Sequence, residues 1–373
     1  MGPVYSLSIH ADYRCRHSGV CCSSDWDVPV DLPLYGRLND ALATKRLIAA
    51  APAEDDDPPL LTWPDLPEGT AAMVARTAAG RCVFYHHGSG LCVVHRDLGE
   101  PMLPPACRHF PRVAVRDARG TFISLTHYCP TAAAMLFRND VPLEIVEAPP
   151  AFPPADYDGL QVDPDAWPPL LHPRMLMDLD GYSAWERHMV ARCSQAMLSP
   201  ESVVATLERD ARTLRAYQPG RGSLIDAVAV LPVDAVDAST PPTLDASLAL
   251  HAEIMSAVPE AVRPDPDDAG LREAFLRAVA PEWPAWHGPA RQYLAAKAFA
   301  SWIAYQGLGV LTLVKGLEAA LALVRVEATR ECRNAGRALD ADLLKQSFRA
   351  ADYVLNHIAV GKDLAKTWSR VEE

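Results

Sequence analysis

Seven of the nine cysteines in this chain of 373 residues fall before position 130: Cys15, Cys21, Cys22, Cys82, Cys92, Cys107 and Cys129. The other two, Cys193 and Cys332, each stand alone in a helical pattern and read as small buried hydrophobes. Residues 1–13 carry no basic stretch followed by an apolar one, so no secretory leader is expected and the cytoplasm is the expected compartment. In a reducing compartment a concentration of thiols points to metal or redox chemistry, and an odd total fits a disulfide framework poorly. Cys21 and Cys22 are adjacent and follow a polar turn, Arg16-His17-Ser18-Gly19, which is a poor setting for core packing. In a strand the two side chains would point to opposite faces, so both reach one site only from a tight turn, which Gly19 permits.

Structural zinc takes four ligands and a 4Fe-4S cubane takes four thiolates, so seven cysteines exceed either need. The surplus implies a second metal, an exchangeable ligand set or a pair with redox work. His17, His86, His87, His95, His109 and His127 could replace some thiols, and nothing singles one out. Arginines stand beside the cysteines: Arg14, Arg16, Arg81, Arg96, Arg108 and Arg112. Positive charge lowers a thiol's pKa and favours the thiolate that binds metal, whereas solvated surface arginines are the plain alternative.

The remainder of the chain is globular in composition, with 49% hydrophobic and 22% charged residues. Formal net charge is −12: residues 1–140 carry 13 Lys+Arg against 15 Asp+Glu, leaving 22 against 32 beyond. An acidic chain without a basic stripe argues against nucleic acid as partner. The long apolar run without charges at residues 298–314 is short for a bilayer span and reads as a buried helix, so no membrane association is expected. Residues 4–10 alternate as a strand, 32–50 have helical spacing, and Cys82-Val-Phe-Tyr with Leu91-Cys-Val-Val-His predicts a hairpin around His86–Gly90. A second hairpin is predicted from 113–116 and 121–126 about the turn 117–120, and Pro130 opens a helix. Nine prolines between 141 and 174 read as an extended connector. Beyond it the pattern is helical: 201–217 after the start signal Ser199-Pro200, 293–328 as a long apolar region, and 341–357. The expected fold is therefore α+β and predominantly α. A small cysteine-rich metal module with two short β-hairpins (1–140), a proline-rich connector (141–178) and an α-helical bundle (179–373) would follow one another.

The order of motifs resembles a known family. Tyr13-Arg-Cys15 through Cys21-Cys22, Gly80-Arg-Cys82-Val-Phe84, Leu91-Cys92-Val-Val-His95, Pro105-Ala-Cys107-Arg-His-Phe-Pro111-Arg112 and Ser124-Leu-Thr-His-Tyr-Cys129-Pro130 are similar to the CxxCxxCC family of zinc- or iron-chelating proteins. The 107–112 stretch and the closing Cys129-Pro130 look most like its flagellin lysine N-methylase branch, over roughly residues 8–138. The name-giving motif would place a cysteine where this chain has Ser18; Cys129 is one replacement and a site with one thiolate fewer is the other. The resemblance implies a metal centre, iron-sulfur or zinc, and methyl transfer from S-adenosylmethionine to a protein lysine, flagellin being the branch's substrate. No glycine-rich strand-to-helix loop is present, and Gly307-Leu-Gly309 reads as helix packing. The C-x3-C-x2-C spacing of radical enzymes is absent too. A lysine must lose its proton before it attacks a methyl group, which makes Asp25, Asp27 and Asp31 candidate bases against a reading as a solvated acidic loop. Arg108 and Arg112 are candidates to fork around the cofactor's carboxylate. The alternative is a non-enzymatic protein that holds zinc or iron for structure, storage or sensing.

Overall fold

The protein, described here from a computed structural model, is α+β and rich in helix, with small sheets. The structure describes residues 2–24, 26–155, 157, 159–163, 167–238, 243–263 and 269–373. In chain order the strands are β1 (Val4–Leu7), β2 (Pro29–Val30), β3 (Leu60–Leu61), β4 (Ala72–Val74), β5 (Tyr85–His86), β6 (Leu91–Cys92), β7 (Arg112–Asp117), β8 (Gly120–Leu125), β9 (Ile145–Glu147), β10 (Gly159–Gln161), β11 (Leu170–His172) and β12 (Met175–Leu176). Two compact units form: Met1–Tyr13 with Val113–Tyr128 and Ala132–Glu373, and Arg14–Arg112 with Cys129–Thr131.

The larger unit joins a mixed sheet, ordered β10-β7-β8-β1-β9, to a layer of helices. Strand β1 runs parallel to β8, pairing Tyr5 with Phe122, and antiparallel to β9, pairing Tyr5 with Glu147. The second predicted hairpin thus forms as β7–β8, but its partners are β1 and the connector, whose residues supply both edge strands, β9 and β10. Extended, proline-bounded segments suit edges, where one row of backbone groups needs no partner. The helical layer is built on Val310–Ala335, 26 residues and therefore about 39 Å long. It packs on Leu244–Ser256, Pro200–Leu214, His287–Ala298 and Ala341–Tyr353. Ser199 caps Pro200–Leu214 by accepting from Ser202 N at 3.0 Å, as the start signal predicts.

The long apolar region is divided rather than continuous. Helix His287–Ala298 ends before Ala300, whose φ is 54°, and a short helix Ile303–Gln306 precedes Gly307. Gly307-Leu-Gly309 is therefore a helix boundary, in place of the predicted helix packing. Gly309 has φ 157°, and a Cβ there would lie 2.5 Å from Glu372 Oε1. That carboxylate accepts from Thr312 N at 3.0 Å, satisfying a donor in the first turn of the long helix. No helix among the described residues is long and apolar enough to cross a membrane.

The smaller unit has its own core, in which Val30, Leu34, Leu38, Ala41, Val74, Val83, Phe84, Val93 and Val94 are buried together. It holds the three-stranded sheet β2-β4-β3 and the hairpin β5–β6, with Tyr85 opposite Cys92 as the motif predicts. Helix Leu32–Ala43 starts at Asp31, whose carboxylate accepts from Leu34 N at 2.8 Å.

Candidate metal centre

All seven of the early cysteines belong to the smaller unit. Cys21 and Cys22 lie on a one-turn helix, Val20–Ser23, that starts from Gly19 in the left-handed conformation (φ 73°). A Cβ at Gly19 would sit 2.5 Å from the Tyr85 hydroxyl, so only glycine lets this turn approach the β5–β6 hairpin so closely. The Cys22 carbonyl accepts from Cys82 N at 2.9 Å, which ties the turn to the segment before the hairpin. Cys92 ends the hairpin as the N-cap of Val93–Leu98, and Cys107 is in the short helix Pro105–His109.

Four separate segments thereby set Cys21, Cys22, Cys82, Cys92 and Cys107 within electrostatic reach of one another. Cys21 Sγ and Cys22 Sγ are 3.9 Å apart. Cys22 interacts with both Cys21 and Cys92, and these contacts push its own pKa far up. The same contacts draw the Cys21 thiol down and, with the backbone N–H groups of His95 and Val94, bring Cys92 down to about 7 against burial. Burial raises Cys82 to about 11 and Cys107 well above the ordinary thiol value. The group therefore combines two thiols inclined to ionise with three that keep their protons, and a metal would have to displace those protons. Cys15 is exposed, its Sγ accepting from His17 N at 3.4 Å, and Cys129 is buried immediately before helix Pro130–Met135.

Among the described residues, no group of three or more His, Cys, Asp or Glu is arranged to hold a metal ion. The donor chemistry is nonetheless that of a thiophilic metal. A tetrahedral site with Zn–S of about 2.3 Å has sulfurs ~3.8 Å apart, which the Cys21–Cys22 separation matches. Arg76 supplies a second indication. Its Nη1 donates to Ser24 O at 2.6 Å, while its Nη2 is buried without a hydrogen-bond partner. A buried guanidinium donor without a partner is one that an anionic acceptor would satisfy.

Two of the expected arginines, Arg96 and Arg112, have other partners. The guanidinium whose charge reaches Cys82 and Cys107 is Arg76, which the sequence reading left out. Arg96 grips Asp97 with contacts of 2.6 and 2.8 Å at the surface. Arg112 Nη1 donates to the Arg108 carbonyl at 2.9 Å, so that donor is spent within the pair expected to hold a cofactor carboxylate. Among the candidate bases, Asp31 is the helix cap described above, Asp27 is exposed and Asp25 lies outside the described residues. His86 bonds Ser89 at 2.9 Å, and the His17 and His95 rings are 5.5 Å apart.

His127 is in the larger unit, in a buried polar network that no sequence motif announces. Asp352 Oδ2 accepts from His127 N at 2.5 Å and Nδ1 at 3.0 Å, while Oδ1 accepts from Tyr293 OH at 2.8 Å and pairs with Lys297 Nζ at 2.5 Å. His127 Nε2 meets His10 Nε2 at 3.4 Å, and His10 Nδ1 is buried with no partner. Burial opposes ionisation of Asp352, but Lys297 and His127 overcome it and hold the carboxyl far below its usual range. Burial lowers both histidines, with Lys297 acting in the same direction.

Comparison with family models, curated proteins and solved structures finds no match to this chain. The likeness to the cysteine-cluster family rests on the motifs quoted above.

Proposed function

We propose that the smaller unit holds a thiophilic metal, an iron-sulfur cluster or zinc, on its clustered cysteines, and that the chain is an S-adenosylmethionine-dependent protein-lysine N-methylase. The observation that carries the metal reading is the gathering of five thiols from four segments beside a buried guanidinium with an orphaned donor. Cys21, Cys22, Cys82, Cys92 and Cys107 supply one thiol more than a tetrathiolate centre needs, so ligand exchange at the site is open to the chain. The bound metal would supply either one-electron chemistry, as an iron-sulfur cluster, or a rigid cross-link, as zinc. The residues around it bury and orient the thiols: Gly19 sets the approach, the Cys82 N–H fixes the Cys22 turn and Arg76 offsets negative charge.

The methylase part rests on the resemblance alone, with a lysine of a flagellin-like protein as substrate. Arg108 and Arg112 are the proposed carboxylate-binding pair for S-adenosylmethionine, and Asp25 and Asp27 the carboxylates proposed to meet a lysine. The 3.9 Å separation of Cys21 and Cys22 favours a second reading, a zinc protein with a structural, storage or sensing role. Anaerobic purification with iron, sulfide and zinc analysis, a visible spectrum and a labelled-methyl assay on lysine-bearing protein separates them. About four iron and four sulfide per chain with lysine methylation supports the enzyme. Zinc without methyl transfer supports the alternative, and a chain free of both metals after anaerobic purification refutes the metal reading.

A further inference from the structure

Arg76 and Cys82 are direct partners across an antiparallel bridge, on the arms of the turn 77–80, closed by Thr77 N donating to Arg81 O at 2.8 Å. Directly opposed residues of an antiparallel pair project to the same face, their Cβ atoms roughly 5 Å apart. The guanidinium is thus set beside a cysteine by backbone pairing rather than by a flexible loop. Its Nη1 reaches Ser24 O at 2.6 Å and Gly80 O at 3.4 Å, so one side chain joins the segment after Cys22 to the segment before Cys82. Its Nη2, buried and unpartnered, is a donor without an acceptor, which is unfavourable inside a protein.

We propose that Arg76 is the positioning residue of the thiol site: Nη1 holds the Cys22 and Cys82 segments together, and Nη2 donates to the anionic thiolate centre that forms when metal binds. The inference rests on the metal reading. A tetrathiolate zinc or cubane centre carries net negative charge on its sulfurs, and a buried guanidinium supplies both the counter-charge and an N–H to sulfur. Arg76 thereby makes the site selective for a charged metal–thiolate centre over the protonated thiol group. Lysine keeps the charge but presents no planar fork, and glutamine keeps a donor without the charge.

The test uses the full-length chain stripped of metal under reducing, anaerobic conditions, with cobalt(II) and zinc(II) as the probes. Cobalt binding is read from its thiolate charge-transfer absorption, and zinc affinity from competition with a chelator. Arg76→Gln is expected to weaken zinc binding by about 10–100-fold, the usual effect of losing a group that orients metal ligands. Arg76→Lys should retain part of the affinity, and the metal-free variants should match the parent in circular dichroism. Equal affinity in the parent and Arg76→Gln overturns the inference while leaving the metal reading intact. Equal loss in Arg76→Lys and Arg76→Gln also overturns it, since charge would then be irrelevant. A parent chain that binds neither cobalt nor zinc, and holds no iron when purified, removes the metal reading and this inference with it.

Discussion

Replacing Asp352 should destabilise the larger unit more than any change at its surface. The carboxylate is fully buried and serves four contacts: the His127 N–H, the His127 ring, the Tyr293 hydroxyl and Lys297. Removing one partner of a buried ion pair costs about 3–5 kcal/mol, because the other charge is left without compensation. The Lys297 side chain keeps 16% exposure, which gives its ammonium a partial route to water and sets the expectation at the lower end, about 3 kcal/mol for Asp352→Ala. Asp352→Asn preserves the shape and an acceptor for Tyr293, but it turns a donor toward the His127 N–H or gives up the contact to Lys297. Its cost is therefore of the same order, about 2–3 kcal/mol. Lys297→Met added to Asp352→Asn removes the stranded charge and should recover about 1–2 kcal/mol, a sign opposite to two independent defects. Urea unfolding followed by tryptophan fluorescence reads this as a midpoint shift of roughly 1 M or more. A loss below about 1 kcal/mol for Asp352→Ala, or further loss in the double variant, would refute the network as an energetic unit.

Stability of the larger unit should also fall with acid earlier than carboxylate titration explains. His10 and His127 have lowered pKa values in the fold, so the unfolded chain takes up their protons first, near pH 6.5, and stability is lost as pH drops below that value. Between pH 7.5 and 5.5 the loss for His10, the more strongly lowered of the two, is on the order of 1 kcal/mol, and His10→Gln should flatten the dependence; an unchanged slope would contradict the assignment. Gly19→Ala combines a left-handed φ with a clash at Tyr85, so it should cost about 1–3 kcal/mol in the smaller unit. Adding Tyr85→Ala should relieve the steric share, as calorimetry would register. Cys92→Ser combined with Cys107→Ser, which leaves three of the five clustered thiols, should lower the metal content of protein purified without oxygen, whereas Cys193→Ser and Cys332→Ser should leave it unchanged. Equal metal content in all of these variants would remove the distinction between clustered and helical cysteines.

What could be read from the sequence was local. The hairpin carrying Cys92 was marked by two apolar runs and glycines, and the turn before Cys21 by Gly19, because each is decided by residues close in the chain. The β7–β8 hairpin was equally visible, but its neighbours were not: Tyr5 meets Phe122 in parallel register, a pairing that no local periodicity encodes. The proline-rich stretch signalled extended chain correctly without revealing that it edges the same sheet as β9 and β10. Arg76 was missed for a related reason. Sequence adjacency drew attention only to arginines beside the cysteines, whereas cross-strand pairing sets Arg76 opposite Cys82, six positions away. The turn Thr77-Ala-Ala-Gly80 was the available signal: a tight turn ending in glycine puts Arg76 opposite Cys82 by register alone.

Asp352 offered no signal of that kind. It occupies an amphipathic helix, Ala341–Tyr353, in which an aspartate ordinarily marks the solvent face. Its burial is decided by Lys297 and Tyr293 one turn apart on helix His287–Ala298 and by His127 in the turn after β8, each distant in sequence. The i, i+4 spacing of Tyr293 and Lys297 is the one legible trace, because it predicts that a phenol and an ammonium share a helix face. Inside an apolar run such a face has to find an anion elsewhere in the chain or pay for an unpaired charge. A lysine embedded at helical spacing among alanines is thus a physical reason to search the remaining helices for a buried carboxylate, and Asp352 is the residue that answers it.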